Sequence, residues 1–413
     1  MLKRDLKEKL AKILERGKSV LLLGPRQTGK TTLIRNYKAD LEITLLISKT
    51  RRQYEADPDL LIREVEAARN AKNFLPLVVI DEVQKVPALM DAVQYLIDRQ
   101  IAQFILTGSS ARKLRHNKNV NFLPGRVIQL RLDPLTLEEL PKPYPSVEDF
   151  LLYGSLPAIR LEMDHSIREE DLNSYVDLYL EEEVRAEALV RDIGSFKNFL
   201  RLAAMESGNI VNFDKISQDI GVARTTIAAY YQILEDCLVA ERIEPYTESR
   251  SRKKLTKSPK YLLFDLGLRR LAAEEQPSLP QQYLGSLFEQ FIGLELIRWA
   301  RLQSLKTSVH FWRDSSGPEV DWLLQQNHFL LPIEVKWTDN PTLRDAKHLE
   351  LFLREYPMAT QGYVVCQVSR PRVLSNSVEA ISWHDLPQKL AAWAVSRDQG
   401  DSKTSDNFLE NNL

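Results

Sequence analysis

The octapeptide Gly24-Pro25-Arg26-Gln27-Thr28-Gly29-Lys30-Thr31, set directly behind the apolar run Val20 to Leu23, constrains this chain more than any other feature. Gly, four free positions, then Gly-Lys-Thr is the spacing of a phosphate-binding loop. Such a loop needs a buried parallel strand ending at Gly24 and a helix opening near Lys30. Backbone N–H groups and the helix dipole then converge on an anion. The fold class that follows is α/β. Gly24 and Gly29 permit close backbone approach, Lys30 supplies a flexible positive charge for the β and γ phosphates, and the Thr31 hydroxyl is placed for Mg²⁺. Pro25, Arg26, Gln27, Thr28 and Thr32 complete the expected contact with ATP.

Two further strands are expected beside the first. Leu77 to Ile80 is a short apolar run suited to burial on both faces, and it ends in Asp81-Glu82. Asp81 at a strand's carboxyl end is the expected Mg²⁺ holder, and Glu82 the base that polarises the attacking water. Gln103 to Leu106 ends in Thr107-Gly108-Ser109-Ser110. In a parallel sheet these polar residues face the ligand crevice, which makes Thr107 or Ser109 a candidate γ-phosphate sensor. A Ser-rich turn capping a helix at Ala111 to Leu114 is the alternative. Arg112 and Arg126 are candidate arginine fingers, in cis or from a neighbouring molecule.

At 413 residues the chain is too long for one ordinary core, so two or three domains are expected. Net charge of −1 gives no overall basic field, so any nucleic-acid binding needs a local patch. Cys237 and Cys366 lack metal-ligand spacing and read as buried thiols in a reducing compartment. Residues 1–17 form a charged amphipathic helix without the apolar core of a signal peptide, and no apolar run suits a membrane span. The expected location is cytoplasmic.

Prolines from Pro134 to Pro145 punctuate the end of the sheet domain. Helices are expected over Val147 to Tyr153, stopped by Gly154, and over Asp171 to Leu189, where Glu181-Glu182-Glu183 reads as a solvated face. Three helices fit Phe196 to Arg242. The second and third, about the Gly221-Val222 turn, have helix-turn-helix spacing. A strand at Val239 to Pro245 and a return strand at Tyr261 to Phe264 would make a wing. Between them Arg250 to Lys260 carries six basic residues and no acidic one. With Arg224, Thr225 and Thr226 on the third helix, this run is a candidate DNA surface. A packing or protein-contact module is the competing reading.

In the last third, a helix over Gln282 to Arg301 carries Glu289, and a hairpin over Glu319 to Leu324 and Leu330 to Trp337 carries Asp321, Glu334 and Lys336. Glu334 and Lys336 lie two apart, hence on one face. Such a face suits metal-assisted phosphodiester hydrolysis: Glu289, Asp321 and Glu334 as Mg²⁺ ligands, Lys336 to orient or deprotonate water. An exposed strand of alternating charge is the bland alternative.

The segments "LVVIDEVQ", "LTGSSARKL", "LPGR", "YGSLP", "LVRDIGSF" and "SPKYLLFDLGL", added to the phosphate loop, resemble the AAA-type P-loop ATPases of bacteria and archaea whose C-terminal part is a domain of unknown function. The resemblance covers about residues 1–390. It implies an AAA-like ATPase domain (1–135), a helical, lid-like region (136–195), a winged helix (196–275), an α/β restriction-endonuclease-like domain of the PD-(D/E)xK type (276–395), and a disordered tail (396–413). It also implies ATP and Mg²⁺ held by Lys30, Thr31 and Asp81, a catalytic Glu82, and Glu289, Asp321, Glu334 and Lys336 at the nuclease-like positions. An ATP-driven DNA-processing protein and a nucleotide switch that binds a protein partner both remain open. A metabolic kinase is disfavoured by the lack of an identifiable lid or acceptor site.

Overall fold

A computed structural model describes residues 2–72, 74–110, 125–177, 193–248 and 255–395. The first unit is a parallel sheet of β1 (Ser19–Leu23), β2 (Leu41–Thr44), β3 (Leu77–Asp81), β4 (Gln103–Gly108) and β5 (Val127–Arg131), in the order β2-β3-β4-β1-β5. Alternation along β1 builds two cores. Leu21 and Leu23 pack with Val78 and Ile80 on one face. Val20 and Leu22 meet Leu6, Leu10 and Ile13 of the Leu6–Glu15 helix on the other. Each of these residues is withdrawn from water, which stabilises the unit by ~1.5–3 kcal/mol per large aliphatic side chain.

Register fixes what lies at each end of the sheet. Leu23 pairs with Gly108, and Ile80 with Leu106, so the phosphate loop, Asp81 and Thr107 share the carboxyl edge. Ser19 pairs with Val127, so Arg126 lies at the opposite edge.

The middle region is helical: Val147–Tyr153, Pro157–Leu161, His165–Tyr175, Ile193–Met205, Phe213–Ile220 and Arg224–Asp236, then the antiparallel pair β6 (Ala240–Ile243) and β7 (Lys260–Leu263). Asn212 caps the Phe213–Ile220 helix through Asp214 and Lys215 N–H, and Gly221 ends it in the left-handed region at φ 77°. The helix reaching Tyr175 begins at His165, earlier than expected, and the Glu181-Glu182-Glu183 run lies outside the described residues.

Two motifs of the resemblance explain each other. Gly154 turns at φ 69°, and a Cβ there would fall 1.9 Å from Asp265 Oδ1. Fully buried Asp265 accepts from Ser155 N–H at 2.6 Å and caps the Leu266–Ala272 helix through Gly267 and Leu268 N–H. "YGSLP" and "FDLGL" are therefore two halves of one structural joint.

The C-terminal unit is a six-stranded sheet in the order β12-β13-β11-β10-β9-β8, with β8 (Thr307–Arg313), β9 (Glu319–Gln326), β10 (Phe329–Val335), β11 (Gly362–Cys366), β12 (Arg372–Val373) and β13 (Val378–Ser382). β8, β9 and β10 are antiparallel, whereas β10, β11 and β13 run parallel. The expected β9–β10 hairpin is tighter than read from sequence. Phe329 pairs with Gln326, leaving Asn327-His328 as its loop, with Asn327 at φ 52°. The Gln281–Leu302 helix covers one face, and the Lys347–Glu355 helix packs on the other.

A buried ionic junction joins the units. Arg301, at the end of the long helix, donates to Asp133 Oδ1 at 2.8 Å and to Glu241 Oε2 at 2.5 Å, and Arg131 pairs with the same two carboxylates. Burial works against the Asp133 carboxylate, but Arg301 and Arg131 hold its pKa below the ordinary value. A cavity of about 530 Å³ opens beside this junction, reaching Lys9, Glu235 and Arg242. Among the described residues no helix is long and apolar enough to cross a membrane.

Candidate nucleotide site and a second carboxylate cluster

The loop leaves β1 at Gly24, where a Cβ would fall 2.3 Å from the Leu132 carbonyl oxygen, so the position demands glycine. Gln27 and Gly29 both take positive φ, 59° and 92°. Buried Thr28 ties the loop to itself, its hydroxyl donating to the Pro25 carbonyl at 2.9 Å. The Lys30 ammonium curls back along the loop, donating to the Gly24 and Pro25 carbonyls at 2.7 and 2.8 Å. Thr31 and Thr32 begin the Lys30–Ile34 helix and are exposed.

Across the edge, the buried Thr107 hydroxyl donates to Asp81 Oδ1 and accepts from Glu82 N–H at 3.1 Å. Thr107 thereby orders both acids. The other Asp81 oxygen lies 3.4 Å from Thr31 Oγ1. One hydroxyl and one carboxylate are what Mg²⁺ takes from a protein when phosphates and water supply the rest, so the donor set fits. Glu82 sits in the left-handed region at φ 61°, a conformation that costs a non-glycine residue ~1–3 kcal/mol. Its Oε2 accepts from Ser109 Oγ at 3.1 Å and from Gln84 Nε2. Gln84 also reaches Ser109 Oγ at 3.2 Å. Sequence reasoning quoted Gln84 without assigning it a part; its place two residues after Glu82 was the available signal.

The loop is held from behind as well. Arg4 donates to the Thr28 carbonyl at 2.5 Å and the Asp133 carbonyl at 2.6 Å, while pairing with Glu139 at 3.1 Å. Tyr175 Oη donates to the Arg26 carbonyl at 3.2 Å. Arg4 was missed because its carbonyl partners leave no residue signature. Arg126 corrects an expectation. Its Nε and Nη2 donate to the two Asp98 carboxylate oxygens at 2.5 and 3.0 Å, at the sheet end remote from the loop. Placed there, Arg126 does not reach the loop of its own chain in this structure, and action on a neighbouring molecule is the form of the expectation that this placement leaves open. Arg112 lies outside the described residues.

The C-terminal acids do come together, but not as a metal site. Asp321 Oδ2 accepts from Val335 N–H at 2.8 Å, and Glu334 Oε1 pairs with Lys336 at 2.7 Å. Glu289 Oε1 is engaged at 2.9 Å by Lys260, a residue sequence reasoning placed on the DNA-facing run. Among the described residues, no three His, Cys, Asp or Glu side chains are spaced to hold a metal. The expected Mg²⁺ set of Glu289, Asp321 and Glu334 is corrected accordingly: Lys260 and Lys336 already occupy Glu289 and Glu334 and a backbone N–H engages Asp321, so the residues as arranged do not fit the ion.

Burial, then the Asp321 charge, pushes Glu334 up to about 8 and Glu289 up to about 7. Burial also raises Asp321, against the pull of Lys336 and Lys260. For Lys336, burial opposes the charge, but Asp321 and Glu334 outweigh it and raise its pKa. It is an ammonium at neutral pH, suited to orienting rather than deprotonating water.

The candidate DNA surface is divided. Arg224 and Thr225 are exposed at the start of the Arg224–Asp236 helix, with Arg224 near Asp214 at 3.6 Å. Lys260 turns inward, and residues 250–254 of the basic run lie outside the described residues.

Residues 16–141 match the family model described as "AAA domain". Residues 144–278 and 284–386 match two described as domains of unknown function, DUF8612 and DUF4143. Uncharacterised proteins of Mycobacterium bovis and Mycobacterium tuberculosis are each 26% identical over 357 residues, spanning 83% of this chain and 75% of theirs. An uncharacterised protein of Methanocaldococcus jannaschii is 24% identical over 303 residues, spanning 62% and 63%. Among solved structures, a Bacillus subtilis DNA clamp loader delta protein aligns at 12% identity over 55% of this chain and 87% of its own. Its TM-score of 0.22 is too low to carry an argument. The AAA-domain match and the N-terminal parallel sheet together support a nucleotide-binding, P-loop ATPase-type role for the first unit.

Proposed function

We propose that this chain hydrolyses Mg²⁺-bound ATP and uses the nucleotide state to reposition its later units in a DNA transaction. The carrying observation is the convergence of Lys30, Thr31, Asp81, Glu82 and Thr107 on one sheet edge. Lys30 exchanges its loop carbonyls for phosphate oxygens when nucleotide binds. Thr31 and Asp81 are the residues that would hold Mg²⁺, which neutralises charge developing on the phosphates. Glu82 accepts a proton from the attacking water once Ser109 and Gln84 release it, and Thr107 and Ser109 sense the γ-phosphate. Pro25 to Thr28 and Thr32 line the phosphates. Arg126 acts as a finger only on a neighbouring molecule.

Three helices followed by an antiparallel strand pair support reading 196–275 as a winged helix, with Arg224 and the 250–260 run toward DNA. The mixed sheet under a long helix supports reading 276–395 as nuclease-like. A specific observation favours a second reading, in which the C-terminal unit docks a protein partner: its carboxylates are already paired with lysines.

The test is Mg²⁺-dependent ATP hydrolysis with and without duplex and single-stranded DNA across a salt series, with the DNA followed in the same samples. Lys30→Ala abolishes hydrolysis. DNA stimulation that weakens with salt supports the DNA reading. Hydrolysis indifferent to DNA, with every strand intact in the parent and in Asp321→Ala, supports the docking reading.

A further inference from the structure

The segment that leaves the nucleotide-binding sheet, residues 132–139, is gripped from two sides. On one side stands the Gln281–Leu302 helix of the C-terminal unit, whose Glu295, Arg298 and Arg301 lie three apart and so share a face. They take successive points of the segment. Arg301 donates to the Asp133 carboxylate, Arg298 donates to the Leu135 carbonyl at 3.1 Å, and Glu295 accepts from Leu137 N–H at 2.9 Å. Arg298 and Glu295 are buried and pair with each other at 2.9 Å.

On the other side lies the phosphate loop. Leu132 N–H donates to the Leu23 carbonyl at 2.8 Å, and the Leu132 carbonyl is the atom against which Gly24 packs. One side chain then spans loop and segment. Arg4 Nη1 donates to the Thr28 carbonyl, Nη2 donates to the Asp133 carbonyl, and Nε lies 3.1 Å from Glu139 Oε2. Three nitrogens of one planar fork thus take three fixed partners, which the single nitrogen of a lysine does not reproduce.

The loop end of that fork bears on phosphate binding. A trans peptide is planar, with its C=O and N–H pointing opposite ways. Holding the Thr28 carbonyl on Arg4 therefore aims the Gly29 N–H away from Arg4, in the residue before Lys30, and such N–H groups are what a bound phosphate meets.

We propose that Arg4 is the positioning residue through which the C-terminal unit holds the phosphate loop in its anion-binding shape, and so sets its affinity for nucleotide. The Arg301 face seats residues 132–139, Asp133 and Glu139 seat Arg4, and Arg4 presents the Gly29 N–H. By reciprocity, bound nucleotide steadies the seating of the C-terminal helix to the same degree. The inference rests on reading the loop as the nucleotide site.

Calorimetric titration of the full chain with Mg²⁺ and a non-hydrolysable ATP analogue tests it, at a temperature where melting curves show every variant folded. Arg4→Met is expected to weaken binding ~10-fold, and Arg4→Lys to recover little of that loss. Arg301→Ala should weaken binding ~5-fold or more while Arg4 is present and add nothing in the Arg4→Met background. Arg301→Lys, which cannot fork to both carboxylates, takes its place where Arg301→Ala does not fold. Effects that multiply in the double variant overturn the proposal, as does wild-type affinity in Arg4→Lys. Wild type that binds no analogue defeats the nucleotide reading instead. Amide hydrogen exchange of residues 24–31, measured without nucleotide, then decides: the Arg301 substitution should speed it only where Arg4 is present, and exchange indifferent to that substitution overturns the proposal.

Discussion

The two acidic clusters of this molecule are built from the same chemistry and kept in opposite states. At the nucleotide loop, Lys30 is satisfied by carbonyl oxygens of its own loop, Thr31 is exposed, and Asp81 is ordered by a neutral hydroxyl. In the C-terminal cluster the lysines already pair with the acids, and one of them comes from a different unit. Backbone carbonyls and a hydroxyl contact Lys30 and Asp81 in the first site, whereas lysine–glutamate ion pairs hold the second.

The strongest way to break this contrast is at Glu82. Glu82→Gln is expected to lower ATP turnover by ~10²–10⁴-fold while leaving ATP binding near wild type; equal loss of binding and turnover would mean that Glu82 shapes the loop instead. Next comes the link between the halves. Arg301→Ala leaves Asp133 and Glu241 buried together and should cost ~3–5 kcal/mol in denaturant unfolding. Unchanged stability would show that the junction carries little.

A smaller effect tests the charge state of the closed cluster. The folded pKa values of Glu334 and Glu289, about 8 and about 7, lie above ordinary glutamate. The folded state therefore binds more protons, and the stability these groups contribute is full at acidic pH and is lost as pH rises through 7 and 8. Glu334→Gln should change little near pH 5 and stabilise the protein by ~1–3 kcal/mol near pH 9. A variant destabilised equally at both pH values would contradict it. Smallest is Arg126→Ala, which should leave ATP binding by the single chain unchanged. An activity loss that deepens with protein concentration would assign it to a neighbouring molecule's site.

The nucleotide half was the more legible in sequence because its signals are local. Val20 to Leu23 and Leu77 to Ile80 are buried on both faces and read as unbroken apolar runs. β2 and β5 escaped because they are edge strands: only Ile43 is buried in one, and "VIQLR" alternates in the other. β13 escaped for a related reason, since Glu379 interrupts its apolar run. The four C-terminal residues were placed in one neighbourhood, yet their ionic partners were not foreseen. Lys260 sits at the end of a run of six basic residues, and composition assigns such a run to solvent. What turns it inward is Glu289, 29 residues on, a pairing that no local pattern encodes. Arg126 was less legible for the opposite reason: a residue beside a strand does not reveal in sequence which end of the sheet it occupies.

The junction at Arg301 also bears on how the chain comes into being. Asp133 follows the last strand of the nucleotide-binding sheet and is paired by Arg131 at once, but the second guanidinium of the junction lies 168 residues later. At a synthesis rate of ~5–20 residues per second, that partner follows on the order of ten seconds or more behind. The first unit therefore emerges from the ribosome with only the Arg131–Asp133 pair of the junction in place, and the remainder waits until the final third of the protein exists.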